Sequence, residues 1–222
     1  MSARPSIREQ QLLVRENAIV AAVNRLLATR GYDLMTVDAV AAEAGIAKAS
    51  LYKHFTSKEE LAGAAMVGVL DRALAFVEGL RAQPATLPLD QLKAVARWAM
   101  QTTLEGEMPT LPAQNSSLSA SLQANDAYMD RLIDLSNKLS IWITEGQTSG
   151  QIRAELPAEL VLYSLFARAC DPVVAMLKSS GQYEDEQIIE WVLTATFGGM
   201  AQAAEAPASP RKTSKTSKTR AR

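Results

Sequence analysis

The sequence predicts an all-α chain. No segment alternates apolar and polar residues convincingly with period two, as a half-buried strand would. Apolar residues recur instead at helical spacing, and glycines and prolines punctuate the runs. About nine helices are expected. The length of 222 residues suits one large domain or two small ones. Aromatic residues make up only 5%, so the core must be built from Leu, Ala, Val, Ile and Met. A mean hydropathy of -0.03 fits a soluble chain. No apolar run approaches the roughly 20 residues needed to span a bilayer, and MSARPSIREQ lacks the apolar core of a signal peptide. The single cysteine, Cys170, cannot form an internal disulfide. A cytoplasmic protein that does not engage a membrane is therefore expected.

Residues 1–14 form a polar arm with Arg4 and Arg8, read as a loose arm or a frayed helix extension. Arg15 to Arg30 is a helix with Ile19, Ala22, Val23, Leu26 and Leu27 on one stripe. Gly31 stops it, and Arg30 suits the negative end of its dipole. The next stretch, GYDLMTVDAVAAEAGIAKASLYKHFTSKEE, carries two short helical patterns separated by Gly45. Val37, Val40, Ala41 and Ala44 share one face, and Thr36 can cap that helix by accepting a backbone N–H. Gly45 reaches the left-handed region without steric cost. The second short helix, Lys48 to His54, places Leu51 inward, with Phe55 four residues on. Two helices joined this way cross at about 90–120°. Lys48, Ser50, Tyr52, Lys53 and His54 then lie on an outer face able to enter a major groove.

The stretch resembles the DNA-binding domain of the tetracycline-repressor (TetR) family of bacterial transcriptional regulators. The resemblance rests on Gly31-Tyr32, Thr36-Val37, Ala44-Gly45-Ile46, Leu51-Tyr52-Lys53-His54-Phe55 and Ser57-Lys58-Glu59-Glu60-Leu61, and reaches back to about Arg15. It implies a three-helix head (15–60) carrying a helix-turn-helix, on a larger helical ligand-binding and dimerisation body (61–205). It also implies phosphate contacts from Thr36, Lys58 and His54. The sequence departs from the family at Ala47, where Ser or Thr is usual. Ala cannot cap, which costs about 0.5–2 kcal/mol.

Ser57 opens a helix running to about Leu80, with Glu60 completing a capping box. Pro84 and Pro88 mark a linker. A helix is expected from Leu89 to Glu105, then a loop with Pro109 and Pro112, then a short helix around Leu118 and Leu122. Asn125 or Asp126 can cap the next helix, which runs to about Gln147. Pro157 suits the first position of a helix to Ser179, bent at Asp171-Pro172. A last helix spans Glu184 to Ala203. Residues 206–222 are basic, with no apolar residue beyond alanine, and cannot bury a core. They read either as a phosphate-binding tail or as a solvated end.

Charge is uneven. Residues 1–60 are nearly balanced at +1, residues 61–205 carry -8 and the tail carries +6. The acidic body should point away from a duplex, leaving binding to a placed face. An enzyme is disfavoured. His54 is the only histidine, so no histidine pair can bind zinc or relay a proton. Cys170 reads as a buried inert thiol, and no cofactor is implied.

The body has two expected roles. Family resemblance makes the last two helices a homodimer interface, with Leu160, Ser164, Ala167 and Val174 on one and Ile188, Val192, Ala195 and Gly199 on the other. Met66, Trp98, Met100, Tyr128, Trp142 and Phe166 are candidates to line an apolar effector cavity, as in the family; ordinary core packing is the competing reading. The implied function is a repressor released from a palindromic double-stranded operator by a small, largely hydrophobic effector. The rival is a helical ligand- or partner-binding protein whose head no longer reads specific DNA.

Overall fold

The computed structural model describes residues 6–83, 86–110 and 116–201. Arg4, Pro84, Pro112 and the basic tail lie outside the described residues. The described residues are helical with no strand; a lone antiparallel bridge joins Ile152 to Ala201. In order come α1 (Ile7–Leu34), α2 (Val37–Glu43), α3 (Lys48–Leu51), α4 (Lys58–Arg81), α5 (Pro88–Leu104), α6 (Ser117–Gln123), α7 (Asp126–Thr148), α8 (Ala158–Phe166), a 3-10 turn (Ala167–Cys170), α9 (Pro172–Ser179) and α10 (Asp185–Gly198). Counting α8, the turn and α9 as one bent helix gives nine.

The helix ends follow local chemistry. Ser6 caps α1 through a reciprocal box with Glu9, so the first helix starts well before Arg15. Gly31, with φ 72°, breaks it near its end. Thr36 accepts from the Ala39 N–H at 3.1 Å and starts α2. Ser57 accepts from the Glu60 N–H at 3.0 Å. The expected return bond goes elsewhere: the Glu60 carboxylate accepts from the backbone and hydroxyl of Thr56 at 2.6 and 2.7 Å. Asn125, not Asp126, caps α7. Pro157 is the cap residue of α8, one place earlier than expected.

Two apolar clusters organise the chain. The first joins α1 through α4 around Ile19, Leu27, Val40, Leu51 and Leu61, and draws in Leu118 and Leu122 of α6. The second fills the body with Leu92, Met100, Leu139, Trp142, Ile143, Val161 and Ile188. Helix α4 contributes to both clusters. The segment after α5 is tied back onto α1: the Asn24 amide donates to the Glu107 carbonyl at 2.7 Å, and the Thr110 hydroxyl to the Leu27 carbonyl at 3.0 Å.

Candidate nucleic-acid interface and body cavity

The turn between α2 and α3 is built on Gly45, at φ 66°. The Ile46 N–H donates to the Ala41 carbonyl at 3.0 Å and closes the corner. Ala47 gives α3 no side-chain cap, so the start of that helix rests on packing. Regular α-helix ends at Leu51, earlier than the expected His54. Tighter bonds, Lys53 N–H to Ser50 O at 3.2 Å and His54 N–H to Leu51 O at 3.0 Å, carry the chain on. Leu51 is the one residue of α3 that is buried, at 0% exposure.

Tyr52 and Lys53 are exposed, and Ser50 is half-buried at the edge of the same face. Lys48 is exposed but paired, with its Nζ 2.9 Å from an Asp38 carboxylate oxygen. The hydrogen bond that Lys48 donates to that carboxylate, and then the carboxylate's charge, raise the Lys48 pKa. Thr36 uses its oxygen as an acceptor for the α2 cap, which leaves its hydroxyl hydrogen available to a phosphate oxygen. Lys58 lies 4.2 Å from the centre of the Tyr32 ring and 3.4 Å from the Asp33 carbonyl. It is steered by a cation–π contact rather than a carboxylate.

His54 is a correction. Its ring is nearly sealed, with a side chain 5% exposed, and its Nδ1 lies 3.2 Å from a Glu16 carboxylate oxygen on α1. It anchors the end of the recognition element instead of projecting from it. Spacing alone cannot reveal this, because the chain tightens after Leu51 and turns the ring inward.

A hydroxyl–carboxylate cluster where α1, α4 and α6 converge had no sequence signal. The Tyr32 hydroxyl donates to Glu59 at 2.8 Å, and the Ser117 hydroxyl donates to the same oxygen at 2.8 Å. The Tyr32 bond does most to hold the Glu59 pKa below its usual value, with Ser117 assisting.

In the body, α4, α5, α7 and α8 line a partly open cavity of about 290 Å³. Met66, Trp98, Tyr128 and Phe166 line it. Met100 and Trp142 do not; both are packed into the body core at 0% and 4% exposure. Leu132, Leu135 and Leu139 supply another wall. Their i, i+3, i+7 spacing is the same as that of any core stripe, so the sequence could not mark them.

The dimer residues also need correction. Val174, Ile188 and Val192 are buried within the subunit core. Leu160, Ala195 and Gly199 are exposed, and Ser164 and Ala167 are half-buried. Large apolar side chains omitted from that set stand out instead: Tyr163, Val173, Met176 and Trp191. Small and β-branched residues at helical spacing look the same facing inward or outward. The stretch Ala158–Ser179 is long and apolar enough by composition to cross a membrane, against the expectation of none, and little of it is buried. A 3-10 turn interrupts it, and Arg168 pairs with the buried Asp171 at 2.5 Å. Cys170 is exposed rather than buried, and partial desolvation pushes its thiol pKa up.

The family model "Bacterial regulatory proteins, tetR family" matches residues 19–65. An HTH-type transcriptional regulator of Mycobacterium tuberculosis is 45% identical over 67 residues, which cover 30% of this chain and only 28% of that protein. The HTH-type transcriptional repressor KstR2 of Mycolicibacterium smegmatis is 25% identical over 194 residues, covering 85% of this chain and 92% of that protein. Among solved structures, FadR from Bacillus subtilis, in complex with stearoyl-CoA, matches with a TM-score of 0.63 at 19% identity, over 82% of this chain and 98% of that one. The ketosteroid transcriptional regulator KstR2 of Mycobacterium tuberculosis matches with a TM-score of 0.58 at 20% identity, over 85% and 95%. At these identities the structures speak for the fold.

Proposed function

We infer the function from one premise: through its N-terminal head, this chain belongs to the tetR family of bacterial regulatory proteins. It is a non-enzymatic DNA-binding transcriptional regulator, and we read it as a repressor working in the cytoplasm on a palindromic operator. The observation that carries the reading is the outward face of the recognition element. Tyr52 and Lys53 are exposed, while Leu51 beneath them is fully buried. Side chains that do not hold the fold are offered to solvent where a major groove would lie. Lys48 joins them once Asp38 releases it. That pair is exposed on both sides, and such solvent-screened pairs add little to stability. Thr36 and Lys58 would then meet phosphates flanking the groove.

One recognition element reads too few bases for selectivity, so the active unit would be a homodimer. Two heads about 34–36 Å apart read half-sites one turn apart or a multiple of it. Exposed apolar side chains on α8, α9 and α10, Tyr163, Val173, Met176 and Trp191 among them, support that assembly. Repression is supported by the name of the KstR2 relatives, and the cavity supports an effector that is small and largely hydrophobic. FadR was solved with stearoyl-CoA and KstR2 is named for ketosteroids; the stearoyl chain and the steroid body are the apolar parts that match such a lining.

The test is a footprint on the promoter of the chain's own gene, repeated with Tyr52→Ala. The wild-type chain should protect an inverted repeat, and Tyr52→Ala should lose protection with an unchanged melting temperature. A wild-type chain that protects no site would favour a head that no longer reads specific DNA, and protection that survives Tyr52→Ala would remove Tyr52 from the reading face.

A further inference from the structure

This inference rests on reading the body as an effector sensor, and it concerns the chemistry the cavity accepts. Among the described residues, no charged side chain lines the cavity. Arginines on the same helices are engaged elsewhere, Arg72 by Glu107 at 2.5 Å and Arg131 by Asp71 at 2.6 Å. A carboxylate or phosphate placed here would lose its hydration and gain no counter-charge. The volume of about 290 Å³ holds on the order of 10 waters at their liquid share of ~30 Å³ each. Covalently bonded atoms pack more tightly, so a ligand of roughly 10–15 non-hydrogen atoms fits.

Two of the lining residues, Tyr128 and Trp98, carry a polar hydrogen. One is the Tyr128 hydroxyl. Burial raises its pKa, and among the described residues no hydrogen bond contributes. The other is the indole N–H of Trp98, whose ring is held by stacking on Phe76 at 5.7 Å. Indole can only donate, and a phenol can donate. A carbonyl oxygen, which only accepts, is the group that suits either donor.

We propose that the effector is an uncharged amphiphile of that size, with a ketone or ester oxygen accepting a hydrogen bond from Tyr128, and that charged groups are excluded from the cavity. The test is a titration of the full-length chain, followed by calorimetry and thermal shift, with four probes sharing one apolar body: butylbenzene, benzylacetone, phenylbutyric acid at pH 8, and the coenzyme A thioester of that acid. Benzylacetone should bind at least tenfold tighter than the acid. Tyr128→Phe should weaken benzylacetone by roughly three- to tenfold, the size of one lost hydrogen bond, and leave butylbenzene unchanged. If the acid or the thioester binds best, the neutral class is overturned while the sensor reading stands. If Tyr128→Phe leaves benzylacetone unaffected, the assigned hydrogen bond is wrong. If none of the four binds, the sensor reading fails and the proposal fails with it.

Discussion

Lys53 offers the sharpest test of the nucleic-acid face. It is exposed, and no carboxylate among the described residues lies within ion-pair reach of it. Lys48, by contrast, starts in a pair with Asp38, and Lys58 sits over Tyr32. Replacing Lys53 with Gln should therefore remove a phosphate contact and nothing else. Each lost contact lowers the slope of log affinity against log salt by about 0.9, so two copies in a dimer lower it by about 1.8. Between about 50 and 200 mM salt, that amounts to roughly a tenfold smaller fall in affinity for the variant. The fold should not notice, since exposed substitutions cost about 0.5 kcal/mol or less, or ~2 °C in a chain this long. Fluorescence anisotropy with an operator duplex at several salt concentrations, alongside a thermal melt, reads both quantities. An unchanged slope would refute the placement of Lys53 on the duplex, and so would a slope change accompanied by a large drop in melting temperature.

Leu51→Ala should behave in the opposite way, costing about 3 kcal/mol because it empties a fully buried site. Amide exchange across α2 and α3 should accelerate, and unchanged exchange would mean that Leu51 does not anchor the element. The Glu59 carboxylate has its pKa depressed below 4.5 by the Tyr32 and Ser117 hydroxyls. It therefore contributes stability above that value and loses it as the pH falls through the folded pKa. Acid below about pH 4.5 should loosen the junction of α1, α4 and α6, and Glu59→Gln should remove that part of the acid transition in a pH-dependent melt. Met176→Glu places a charge on the unburied side of α9. Sedimentation should show a shift toward monomer with helix content intact, and an unshifted dimer would move the interface elsewhere.

Much of the fold was legible because helices announce themselves through spacing and caps. Gly31, Thr36, Gly45, Ser57 and Asn125 each end or begin an element where their chemistry directs. The head face was legible in part, because Leu51 fixes which side of a short helix points inward. His54 was not, since its direction depends on a local tightening of the backbone and on Glu16, which the sequence places far away. The cavity and the outer side of α8, α9 and α10 were the least legible. A leucine at helical spacing can face a core, a void or another subunit with the same pattern. Met100 and Trp142 fell into the core, while Tyr163 and Trp191 stood outside, for that reason.

Helix α6 lies far downstream of the head, yet Leu118 and Leu122 complete its apolar cluster and Ser117 reaches Glu59. A chimaera joined after Leu61 would transplant the reading element without its lid, exposing a greasy seam along α4. Exchange of specificity between such regulators by recombination would thus favour crossovers that carry α6 along. Alternatively, the recipient body must already present two leucines at matching height.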